Sequence, residues 1–108
     1  MQLRIWLDDI RPAPNDDWLV VTSVNNATRV LSAIRILKCC CMNAGVEFAE
    51  LSLDHDLGDF VYDGGDGIKV LDWMAENDFW PTNKPTVHSM NAVGGQQMLA
   101  LIDRYWPY

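Results

Sequence analysis

The sequence predicts one α/β domain over residues 1–108, a small three-layer sandwich around a mostly parallel sheet. Three observations carry that reading. Short β-branched runs alternate with longer segments of helical periodicity. Three of the four runs stop at unusual polar groups, Asp8-Asp9, Asp54-His55-Asp56 and His88-Ser89. In open parallel sheets, the carboxyl ends of the strands are where ligands bind. No repeat, low-complexity tract or linker interrupts the 108 residues, a length that buries a core without disulfides.

The first strand is "QLRIWL" (2–7), ending at Asp8-Asp9. "IRPAPNDDW" follows as a loop, set by its two prolines and its Asn-Asp-Asp cluster, with no helix in the crossover. "LVVTS" (19–23) is the second strand. Asn25 or Asn26 is a cap for the helix "NATRVLSAIRILKCCCM", whose Val30, Ile34, Leu37 and Cys41 form an apolar stripe ending at Gly45. A third strand, about 48–53, leads into "DHDLGD", and an acidic, glycine-rich loop (58–67) precedes a helix over 68–78 with Ile68, Leu71 and Met74 on one side. Pro85 opens a fourth strand, "PTVHS" (85–89), and a last helix runs over 96–106 behind Gly94-Gly95.

A net charge of −7 repels polyanions and excludes duplex nucleic acid as a partner through phosphate contacts alone. No run is apolar and long enough to span a bilayer, and the first residues lack the pattern of a signal peptide, so a cytoplasmic protein with no membrane contact is expected. Cys39, Cys40 and Cys41 are consecutive and odd in number, which fits reduced thiols better than a disulfide or a zinc site. The five tryptophans belong to the core or to a partner-facing patch, and exposed ones leave a homodimer open.

If the strands run parallel, the polar groups share one rim. Two carboxylates ~4 Å apart repel by about 4 kcal/mol at an effective dielectric near 20. Four gathered together call for protons or a cation. Asp8, Asp9 and Asp56 are therefore candidate metal ligands, with Asp54 as a ligand or as support behind one. Carboxylates favour Mg²⁺ or Mn²⁺, and an added imidazole favours Mn²⁺. Asp16, Asp17, Asp59, Asp63 and Asp66 read as loop-solvating groups. His88 is a candidate proton donor to a leaving oxygen, and His55 a candidate metal ligand or water-orienting group. Arg11 is either a phosphate clamp or a surface ion pair. Ser89 and Asn91 suit hydrogen bonds to phosphate, and Gly94-Gly95 suits backbone approach to an anion. The "DHDLGD" segment is not an EF-hand loop, and no Walker loop or Ser-His-Asp order is present.

Asp8-Asp9, Asp54 and Ser89 at successive strand ends resemble the acidic pair, the phosphoacceptor aspartate and the phosphoryl-contacting Ser/Thr of response-regulator receiver domains. A closer resemblance is to a receiver-like family described as cyclic-phosphate processing, through "LDDIRPAP", "LSLDHDLG", "GGDGIKVLDWM" and "VHSMNAVGGQQM", which cover most of the chain in order. The resemblance implies a reduced flavodoxin-like fold and metal-dependent hydrolysis of a cyclic phosphate or another nucleotide-linked phosphoester, with a small phosphorylated or cyclic nucleotide as ligand. The chain departs from receivers in having no lysine after its last strand; Lys84 precedes it, and His55, His88 and Asn91 stand near the rim instead. That exchange favours a phosphoesterase. The alternatives are a module that binds a nucleotide without cleaving it and a phosphoacceptor regulatory domain.

Overall fold

The computed structural model describes residues 1–40 and 45–108. In chain order it contains β1 (Gln2–Leu7), β2 (Trp18–Val21), α1 (Val24–Cys40), β3 (Glu47–Leu53), a 3-10 turn (Gly58–Phe60), α2 (Ile68–Asn77), β4 (Thr86–Val87) and α3 (Ala92–Tyr105). The strands form one sheet in the order β2-β1-β3-β4, and every neighbouring pair is parallel. The architecture is α/β and receiver-like, as predicted, with a helix-free crossover from β1 to β2. Among the described residues, no helix is long and apolar enough to cross a membrane.

Strand alternation sorts the core. Leu3, Ile5 and Leu7 register with Phe48, Leu51 and Leu53, and the same face carries Val21 and Val87. Against it pack Ala27, Leu31 and Ile34 from α1, Val70, Leu71 and Met74 from α2, and Met98 and Ile102 from α3, all in one cluster. Each fully buried side chain of this kind contributes about 1.5–3 kcal/mol relative to exposure. The reverse face carries Arg4, Trp6, Trp18, Val20, Glu50, Ser52 and Thr86. Here Arg4 pairs with Glu50 at 2.7 Å, Trp18 meets Trp6 edge-on, and the β1–β2 loop returns so that the Trp6 indole donates to the Arg11 carbonyl. Polar and aromatic groups thus occupy the side that the helices leave.

Three local expectations are corrected. The buried stripe of α1 is Ala27, Leu31 and Ile34, with Val30 half-buried and Leu37 exposed; Cys41 lies outside the described residues. Apolar side chains occur on both sides of this helix, so periodicity alone misplaces its inner face by a fraction of a turn. The cap of α1 is Ser23, whose Oγ accepts the Asn26 N–H at 3.2 Å, and not Asn25 or Asn26. Finally, α3 starts at Ala92 with Asn91 as its cap, so Gly94-Gly95 lie inside its first turn.

Asp63, read from sequence as a solvating residue, clamps the start of α1. It accepts from Ser23 Oγ at 2.7 Å and from Asn25 Nδ2 at 3.0 Å, and these two bonds hold its carboxyl below the usual 3.8. A depressed carboxyl contributes stability above its unfolded value, and the contribution is lost as pH falls through the folded value. Asp63→Asn is therefore expected to lower urea stability near neutral pH, with the gap to wild type closing below about pH 3.8. A gap independent of pH would show that charge plays no part in the clamp.

Candidate functional site

The strand ends converge because the ladder continues one step past the strands. Leu7, Leu53 and Val87 are lateral partners. Beyond them, Asp54 N–H donates to the Leu7 carbonyl at 2.8 Å and His88 N–H to the Leu53 carbonyl at 3.0 Å. Asp8, Asp54 and His88 therefore sit side by side, and alternation points all three toward the reverse-face side.

Asp8 is nearly inaccessible, at 3% exposure. Its Oδ1 accepts the N–H groups of Ile10 and Arg11, both at 2.9 Å, and its Oδ2 accepts from His88 Nε2 at 2.9 Å. Burial pushes this carboxyl up, but the two backbone donors and His88 outweigh it, leaving the group below its usual value. His88 Nδ1 lies 2.8 Å from Ser52 Oγ, and its ring stacks on Trp6 with centroids 3.8 Å apart and planes 7° apart. Burial is the leading cause of a lowered His88 pKa, and the Asp8 bond opposes it. Both of its nitrogens are engaged. The sequence sees a proton donor to a leaving oxygen; the geometry gives that proton a standing acceptor in Asp8.

The second histidine forms its own pair. His55 Nδ1 lies 2.7 Å from Asp56 Oδ1, which also accepts from Asn91 Nδ2 at 3.2 Å. The His55 bond, then the Asn91 bond, lowers the Asp56 pKa. Asn91 Oδ1 accepts the Gly94 N–H at 2.9 Å, so both ends of its amide are committed and its orientation is fixed. The Gly95 N–H goes to the Asn91 carbonyl. The glycine pair thus has no free amides for an anion, contrary to the sequence expectation. Gly94 has a different role: a Cβ there would come within 2.5 Å of the His55 ring, so glycine makes room for the imidazole against α3.

Asp8, Asp9 and Asp54 offer carboxylate oxygens within 4.8 Å of one another, and His55, Asp56 and Asp66 form a second such group; either could hold a metal ion. The donor set fits a hard divalent cation. Asp54 is pushed up first by burial and then by the Asp8 charge, which is the repulsion a cation would relieve. Ser89 Oγ accepts the Asn91 N–H at 3.0 Å, and its hydroxyl partly offsets the rise in the Asp54 pKa. The four aspartates, with Ile10, Arg11, Gly58 and Met90, line a hollow of about 320 Å³. Among the described residues Arg11 forms no ion pair: its Nη1 donates to the His88 carbonyl at the edge of this hollow. A larger hollow of about 380 Å³ between α1 and α2 has Arg35 and Cys39 but no carboxylate, so volume does not locate the chemistry.

Every residue picked from the sequence for the site thus lies in this neighbourhood. Sequence reasoning missed Trp6, Ser52, Thr86 and Asp66. The first three lie two residues before Asp8, Asp54 and His88, on the same face by alternation, and that spacing is the signal that could have found them. Asp66 comes from the glycine-rich loop, where nothing local distinguishes it from its acidic neighbours.

Neither a curated protein nor a solved structure matches the chain. One family model does, over residues 3–104, from the second residue of β1 to the last but one of α3. The strand-end acidic set and the parallel sheet sit inside that match, and the chain belongs to the cyclic-phosphate processing receiver domain family.

Proposed function

We propose that the protein is a metal-dependent phosphoesterase acting on a cyclic phosphate or a nucleotide-linked phosphoester in the cytoplasm. The observation that carries this reading is the set of strand-end carboxylates of Asp8, Asp9 and Asp54, with Asp56 lining the same hollow and His55 bonded to it. Asp8, Asp9 and Asp54 would hold Mg²⁺ or Mn²⁺, with Asp56 completing the set. When bound, the ion supplies charge neutralisation and Lewis acidity toward a phosphoryl oxygen. Arg11 binds a second phosphoryl oxygen through its remaining guanidinium donors. Asp56 fixes His55 through Nδ1 and leaves Nε2 as the acceptor that takes a proton from the attacking water. Asn91 steadies Asp56, and His88 steadies Asp8; His88 can donate to a leaving oxygen only by giving up its Asp8 bond.

The test is a panel of cyclic mononucleotides, cyclic oligonucleotides, 2′,3′-cyclic RNA ends and ADP-ribose 1″,2″-cyclic phosphate with Mg²⁺ or Mn²⁺. Turnover of one class, abolished by chelation, is expected. Binding with the ligand recovered intact would identify a sequestering module instead. A regulatory receiver is the second reading, favoured by the Asp54 carboxylate standing beside those of Asp8 and Asp9. Acetyl phosphate with Mg²⁺ followed by intact mass separates it: a labile phosphoryl addition supports the receiver, and an unchanged mass opposes it.

Asp54 also gives a stability prediction. Its folded pKa is raised, first by burial and then by the Asp8 charge, so stability falls as pH rises from the unfolded value of 3.8 through the folded one. Asp54→Asn is expected to gain about 1 kcal/mol without metal, a few degrees in Tm. Saturating Mn²⁺ should erase the gain by stabilising the wild type more. Equal Tm values without metal would show that the repulsion is already screened.

A further inference from the structure

Ser52 is a polar residue in an otherwise buried stretch of β3, between Leu51 and Leu53, and is only 4% exposed. A buried hydroxyl costs stability unless it is bonded. Ser52 Oγ lies 2.8 Å from His88 Nδ1 and 3.0 Å from Thr86 Oγ1. Together with the Asp8 contact, this makes one chain of hydrogen bonds along the reverse face, from exposed Thr86 through Ser52 and His88 to Asp8. Thr86 Oγ1 donates to Ser52 Oγ, which leaves the Ser52 hydroxyl hydrogen for His88 Nδ1, and only one assignment of protons then satisfies every contact. Asp8 is held as a carboxylate by two backbone donors, so Oδ2 needs a hydrogen from His88 Nε2. Nδ1 is then bare and takes the Ser52 hydroxyl hydrogen, and Ser52 Oγ in turn accepts from Thr86. The opposite tautomer would set the Nε2 lone pair against the Asp8 oxygen. A half-turn of the ring would present carbon to both partners, and Trp6 stacked on it fixes its plane.

We infer that Ser52, backed by Thr86, is a positioning residue: its hydroxyl holds His88 in the Nε2–H tautomer, and His88 in turn holds the Asp8 carboxylate toward the cation pocket. The step from Asp8 to a cation rests on the reading above; the tautomer does not. The arrangement is a ligand carboxylate oriented by a histidine that is itself oriented by a hydroxyl. Outer partners of this kind are worth 10–100-fold in metal affinity.

The experiment is long-range ¹H–¹⁵N correlation of the imidazoles in the full chain, metal-free, with His55→Gln to assign the second of the two histidines. Wild-type His88 is expected to show a protonated Nε2 and a bare Nδ1. Ser52→Ala should give a mixed tautomer pattern and weaken Mn²⁺ binding about tenfold, and Ser52→Thr should restore both. Thr86→Val, at an exposed strand position, should shift the pattern in the same direction by less, and keeps the question answerable if Ser52→Ala does not fold. An Nδ1–H tautomer in wild type, or an unchanged pattern in both variants, would overturn the inference. A shifted pattern with unchanged Mn²⁺ affinity would overturn the link from tautomer to Asp8. If wild type binds no Mn²⁺, the cation reading fails by itself, and the tautomer arm still decides the role of Ser52.

Discussion

Asp8→Asn is expected to abolish divalent-cation binding and lower phosphoesterase kcat/KM by roughly 10³-fold, about 4 kcal/mol of transition-state stabilisation. The size follows from what the carboxylate does. Asp8 is almost fully buried, its Oδ1 holds the start of the β1–β2 loop through two N–H groups, and its Oδ2 receives the His88 proton. Asparagine keeps the first two bonds through its carbonyl oxygen. It loses the charge, however, and places an NH₂ against the His88 N–H, two donors face to face. His88 must change tautomer or move, and either disturbs Ser52 as well. The measurements are Mn²⁺ titration by calorimetry and turnover on whichever panel substrate the wild type cleaves. Unchanged Mn²⁺ affinity in a folded Asp8→Asn variant would remove Asp8 from the cation site and most of the enzymatic reading with it.

Gly67→Ala should be among the most destabilising single substitutions, at about 3 kcal/mol, a fall of roughly 10–20 °C in Tm. Gly67 precedes α2, and its N–H donates to the His55 carbonyl at 2.7 Å. A Cβ at this position would collide with the Asp54 carbonyl oxygen and crowd His55 Cα. Both obstacles are backbone, and that backbone carries Asp54 and His55 themselves, so neither can yield without deforming the site. Gly95→Ala is the control. Its Cβ would lie 3.7 Å from Val87 Cγ1, an ordinary contact, and alanine at this helical position is expected to be neutral or stabilising by up to about 1 kcal/mol. Thermal melts of both variants decide the matter. Equal effects would show that helix propensity, rather than the close approach of α2 to the Asp54-His55 backbone, governs these glycines.

The strands were legible because each apolar run stops abruptly at carboxylate or imidazole, and β1 is found where the sequence places it, at Gln2–Leu7. The phase of α1 was not legible. Its apolar residues populate both the buried positions Ala27, Leu31 and Ile34 and the exposed positions Ile36 and Leu37, so no single stripe stands out. The start of α3 was misplaced because Gly94-Gly95 looks like a turn. Asn91 caps the helix ahead of them, and Gly94 is there for the His55 ring instead.

By itself, the sequence determined the donor chemistry: which residue types gather at the carboxyl ends of which strands in a parallel α/β domain, and with them a set of carboxylates that could hold a metal ion. Local patterning is enough for that, because the period of a strand and its end are written in consecutive residues. Only the tertiary structure decided how the two histidines divide. His88 meets Asp8, 80 residues away, and Ser52, 36 residues away, whereas His55 keeps its neighbour Asp56 and packs on α3. Lateral register sets that division: the pairing of Leu7, Leu53 and Val87 puts Asp8, Asp54 and His88 in one row. A shift of one residue in any strand would turn one of them to the other face.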